Sequence, residues 1–147
     1  MALPPFTENG DLPVGVYRVS LQEILERFGA GSPHRRIIGF RLERIYRVAS
    51  TTGHLARFVV FGSFITSKPE PNDVDAFMLM ADEFNAELLS GEAQALFDHT
   101  AAQDQFGASV FWSRRLAVLG DEQQVIEDWQ IKRDKTRRGI IEIVEVP

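Results

Sequence analysis

RFVVFGSFITSKPEPNDVDAFMLM, residues Arg57 to Met80, sets two apolar runs around a polar loop. The first run, Phe58 to Phe61, is a string of β-formers that ends in Gly62-Ser63. The second, Val74 to Met80, begins within Asp73-Val74-Asp75. Continuous apolar runs of this length predict strands covered on both faces. The stretch SKPEPN between them reads as a loop. Two aspartates at the mouth of a buried strand are costly to place there, so their chemistry needs a reason.

The flanking sequence supplies a mixed set of elements. Ser20-Leu21-Gln22-Glu23 has capping-box spacing and predicts a short helix that runs to about Phe28 and stops at Gly29. Ser32-Pro33 opens a second helix, whose apolar stripe is Ile38, Leu42, Ile45 and Val48 or Ala49. Arg35, Arg36, Arg41, Glu43, Arg44 and Arg47 fall largely off that stripe. A third helix is expected over Ala86–His99, a strand over Ala108–Trp112, a helix over DEQQVIEDWQIKR (residues 121–133) and a last strand over Gly139–Val146. Residues 1–18 read as an irregular lead-in rich in turn signals, and the opening residues as draped on the surface. The order of helices, two strands, helix, strand, helix and strand predicts an α+β or α/β class, a small mixed sheet flanked by helices, in one domain spanning residues 1–147.

Composition narrows the function. The 147 residues are 44% hydrophobic and 25% charged, an ordinary globular balance able to build a sizeable core. There are no cysteines, which excludes disulfides, iron–sulfur clusters and thiolate zinc sites. MALPPFTENG lacks the basic and apolar regions of a secretory signal, and no run approaches the ~20 apolar residues of a membrane span. A cytoplasmic protein with no membrane association is the expectation. Net charge is −5, which does not favour nucleic acid as a partner.

Along a strand, Asp73 and Asp75 point to one face. Two carboxylates so close repel, and one is driven toward its protonated form unless a cation sits between them. Mg²⁺ is usually held by one or two carboxylates together with phosphate oxygens and water. Gly62 lets backbone approach a ligand, and the Ser63 hydroxyl can bond a phosphate oxygen. Metal carboxylates beside a phosphate cradle are the parts needed for phosphoryl or nucleotidyl transfer.

Gly-Ser, nine intervening residues, then Asp-Val-Asp resembles the signature of the nucleotidyltransferase superfamily with the polymerase-beta-type fold. Size and element order are similar to its minimal bacterial single-domain members and to an uncharacterised bacterial family related to them. Some minimal members are the antitoxin half of toxin–antitoxin pairs and transfer AMP to their partner. The resemblance implies that Gly62 and Ser63 hold the phosphates of a nucleoside triphosphate. It implies that Asp73 and Asp75 bind one or two magnesium ions, which align the α-phosphate for in-line attack by a hydroxyl of a protein, a small molecule or an RNA end. The chain departs from the pattern at Phe64 and Ser67, where minimal members commonly carry Arg and Gly. The family's third carboxylate, often the base, is absent from ASVFW, and Glu142 in GIIEIVEV is the next candidate. The alternative is a catalytically inactive module of the same fold that binds a nucleotide or a partner protein, such as a cognate toxin.

Lys68 in the loop and Arg114, at the end of a strand, are further candidates for the triphosphate. KRDKTRR (residues 132–138) has five basic residues and one acid and reads either as a solvated connection or as a contact for a triphosphate or nucleic acid. His34, His54 and His99 lack metal-site spacing, Trp112 and Trp129 sit in apolar patterns, and no P-loop or dinucleotide fingerprint occurs.

Overall fold

The computed structural model describes residues 3–145. Five strands form one mixed sheet: β1 (Val16–Val19), β2 (Leu55–Phe61), β3 (Val74–Met80), β4 (Ala108–Arg114) and β5 (Ile140–Ile143). Their order is β1-β5-β2-β3-β4, with β1–β5 and β3–β4 parallel and the two central pairings antiparallel. The α+β class and the mixed sheet flanked by helices are as expected from the sequence.

Both faces of the sheet are covered, which is why the central runs are apolar throughout. On one face lie α1 (Leu21–Phe28), α2 (Pro33–Thr51), α3 (Gly91–Leu96) and α4 (His99–Phe106). Their Ile24, Phe28, Ile38, Leu42, Ile45, Ala102 and Phe106 pack with Phe58, Val60, Val74, Ala76, Met78 and Val110 of the strands. On the other face α5 (Glu122–Asp128) buries Ile126 against Val59, Phe77, Leu79 and Ile140, and Trp129 closes over them.

Local chemistry sets the helix ends. The capping box of α1 is present, with Ser20 accepting from the Glu23 amide at 3.2 Å. Ser32 caps α2 through the Arg35 amide at 3.1 Å, with Pro33 in the first turn. The single helix expected over Ala86–His99 is instead a 3₁₀ turn (Ala86–Leu88) followed by α3 and α4. Gly91 opens α3 at a φ of 59°, and Asp98 ends the run by capping a new helix through the Ala101 amide. The helix expected over residues 121–133 stops at Asp128, because the chain turns back through an Ile131–Arg137 bridge.

The lead-in needs the largest correction. Its last residues belong to β1, an edge strand parallel to β5, and Leu12 is buried. Isolated from its partner, VYRV is too short and weakly alternating to announce itself. Its pairing with β5, more than a hundred residues away, makes it a strand. The expectations for Met1, Ala2, Val146 and Pro147 lie outside the described residues.

Candidate functional site

The Gly-Ser turn and the two aspartates meet at one end of the sheet. Antiparallel pairing sets Phe61 opposite Asp75, so Gly62 follows at the strand exit beside the Asp75 side chain. A Cβ built on Gly62 would lie 1.9 Å from Asp75 Oδ2, and its φ and ψ of 84° and −166° suit no residue with a side chain. Glycine therefore does two things here: it turns the chain and leaves room for a carboxylate against the backbone. Ser63 starts a 3₁₀ turn, Ser63–Ile65, whose Phe64 and Ile65 anchor in the core.

α2 holds that turn from behind. The Arg35 guanidinium donates to the carbonyls of Phe28 (3.1 Å), Phe64 (2.9 Å) and Thr66 (2.8 Å), and also to that of Lys68. His34 bonds the Pro71 carbonyl, at the far end of the loop. The lead-in holds its front: the Ser67 amide donates to Gly10 O at 2.8 Å. Gly10 has a φ of 82°, and a Cβ there would meet Ser67 Oγ at 2.2 Å. Arg35 and Gly10 carry no signal in the sequence, because their partners are backbone atoms reached only through the fold.

Asp73 and Asp75 are both partly exposed. Ser109 on β4 lies directly opposite Asp75 and donates to Asp73 Oδ2 at 3.0 Å. Burial, then the neighbouring Asp73 charge, pushes the Asp75 carboxyl up to about 6 from its ordinary 3.8. Ser109, Arg138 and Arg133 pull the other way without reversing the shift. The basic run is thus near the acid pair. Its backbone docks through Arg138 N–H to Gln130 O (3.0 Å) and Gly139 N–H to Leu12 O (2.9 Å). Asp11 gathers Arg138 at 3.4 Å and Lys132 at 3.6 Å. Within KRDKTRR, Arg133, Lys135 and Arg137 are exposed, and Lys132 and Arg138 pair with Asp11.

Two other candidates do not join this cluster. Glu142 shares the Asp75 face of the sheet, but it pairs with Val59, itself paired with Phe77. That puts it two strands across from Asp75 and two residues further along. It is 3% exposed and held in a fork by Arg57, at 2.7 and 2.9 Å, with Arg18 at 3.5 Å. An arginine fork satisfies a buried carboxylate and uses its lone pairs. The positions level with Asp75 on the strands flanking the β2–β3 pair are Ser109 and, by continuing the β2–β5 register, Ile140. Among the described residues no group of three or more potential metal-binding side chains forms. Arg114 pairs with Met80, at the opposite end of β3 from Asp75, where it bonds Phe84 O at 2.6 Å and lies over Trp112. Arg114 does stand at a strand end, but the parallel β3–β4 pairing puts that end at the far edge of the sheet from the acids. Lys68 is exposed on the loop.

The chain belongs to the family of unknown function DUF6932, whose model matches residues 4–144. No curated protein and no solved structure matches it.

Proposed function

We propose that this chain is a nucleotidyltransferase-like protein that moves a nucleoside monophosphate from a nucleoside triphosphate to a hydroxyl acceptor. One observation carries the reading: two carboxylates share a strand mouth against Gly62, with Asp75 pushed up to about 6 by burial and by Asp73. A structural acid is normally relieved by its surroundings, and this one is relieved only in part. The pair fits Mg²⁺, which takes one or two carboxylates and leaves its other positions to phosphate and water. When bound, the ion supplies the positive charge that neutralises the triphosphate and the leaving pyrophosphate.

The remaining roles fall to the chain itself. Ser63 and the turn behind it meet phosphate oxygens, with Arg35 fixing the turn. Arg133 and Arg138 add positive charge that acts on Asp75. Ser109 orients Asp73 by its hydrogen bond. The test is incubation of the protein with α-labelled triphosphates, Mg²⁺ and host lysate. Label should pass to an acceptor with the wild type and not with Asp73→Asn/Asp75→Asn. Equal labelling by both proteins, or none by the wild type, counts against transfer.

A second reading has its own observation. Ser109 and Ile140 occupy the places level with the pair, and Glu142 is committed to Arg57. A module that binds a nucleotide or a partner protein needs no third acid. Nucleotide binding by calorimetry without label transfer is the outcome that selects it.

A further inference from the structure

On β4 the residues on the acid pair's face of the sheet are Ser109, Phe111 and Ser113, paired across to Asp75, Phe77 and Leu79. Phe77 is 4% exposed, whereas Phe111 is 41% exposed. β4 is the last strand of the sheet, and a large aromatic between two serines on an edge strand adds apolar surface where folding gains least from it. The ring is nonetheless firmly placed. Trp129 lies 5.5 Å from it at 36°, Phe61 6.3 Å at 36° and His99 5.0 Å at 37°. His99 is itself positioned by a 3.1 Å bond between Nδ1 and Val110 O. The result is a supported aromatic shelf with an exposed ring at its rim. Phe111 is two residues along the strand from Ser109, about 7 Å from the acid pair's level.

We infer that Phe111, flanked by His99, is the stacking surface for the base of the nucleoside triphosphate. The inference rests on the proposed nucleotide site and extends it. Two residues of strand is about the reach of one ribose between a phosphate held at Asp73/Asp75 and its base. Every base has a π-face, so stacking here is tolerant of base identity, and ATP and GTP should bind alike.

Calorimetric titration with Mg²⁺–ATP and with Mg²⁺–tripolyphosphate tests this on wild type, Phe111→Leu and Phe111→Tyr. Leucine keeps the apolar volume against Trp129 and removes the aromatic face; tyrosine keeps the face. Phe111→Leu should lose about tenfold or more in ATP affinity while its tripolyphosphate affinity stays within about twofold. Phe111→Tyr should bind ATP like the wild type. Unchanged ATP binding by Phe111→Leu overturns the base site and leaves the phosphate site standing. Parallel loss of both ligands also overturns it, by showing that the substitution acts through the fold. If the wild type binds neither ligand, the base site and the nucleotide reading fall together.

Discussion

Replacing Asp75 by asparagine should make this protein more stable, and the gain should vanish in acid. The Asp75 carboxyl is raised from 3.8 to about 6, first by burial and then by the Asp73 charge. A folded-state value above the unfolded one means that the native state prefers the protonated form. Its stabilising contribution is complete below the unfolded value near 4 and is lost as pH rises through about 6. The difference amounts to about 3 kcal/mol at pH 8, reduced somewhat because water reaches the site. An asparagine side chain has nearly the same shape and carries no charge. At pH 8 Asp75→Asn should therefore gain about 2–3 kcal/mol, seen in urea melts as a higher midpoint with unchanged slope. For a chain of this length the corresponding rise in Tm is roughly 5–10 °C. At pH 4 the two melts should nearly coincide, since other titrating groups cancel in the comparison. Millimolar Mg²⁺ should narrow the gap at pH 8 by stabilising the wild type alone. A mutant that is neutral or destabilised at pH 8, or a gap that persists at pH 4, refutes the picture of Asp75 as a strained carboxylate awaiting a cation.

Other perturbations separate the site from its scaffold. Gly62→Ala places a Cβ 1.9 Å from Asp75 Oδ2 at a φ of 84°; a loss of about 3 kcal/mol in urea unfolding is expected, together with weaker Mg²⁺ binding. Arg35→Met removes the donor to the Phe28, Phe64, Thr66 and Lys68 carbonyls; about 2–3 kcal/mol should be lost, with faster hydrogen exchange in residues 64–68. If exchange there is unaltered, Arg35 does not hold the turn. Glu142→Gln leaves Arg57 without its buried counter-charge and should cost about 2–3 kcal/mol, while label transfer per folded molecule is retained. Lost transfer with intact stability would instead place Glu142 in the chemistry.

Local patterns make much of this legible in the sequence. The capping box at Ser20, Pro33 after Ser32, and Gly29 are signals within a few residues, and each marks its helix end correctly. The runs Phe58–Phe61 and, apart from Asp75, Val74–Met80 are apolar because both sheet faces are covered, so their strands are readable without partners. Gly62 and Asp75 are recognisable as a unit because a hairpin-like return brings neighbours in sequence into contact. β1, by contrast, exists through pairing with β5, and the break between α3 and α4 depends on where Gly91 and Asp98 sit against the core.

By itself, then, the sequence determined the class, the two central strands and the closeness of Gly62 to Asp75, because those follow from composition, period and short spacing. Tertiary structure decided which distant residues share that end of the sheet. It brought Ser109 to the acid pair and Arg35 to the turn, and it sent Arg114 to the opposite end. Glu142 it committed to Arg57. Strand order and register set those outcomes, and register between strands far apart in the chain is fixed by the packing of whole faces rather than by any local run of residues.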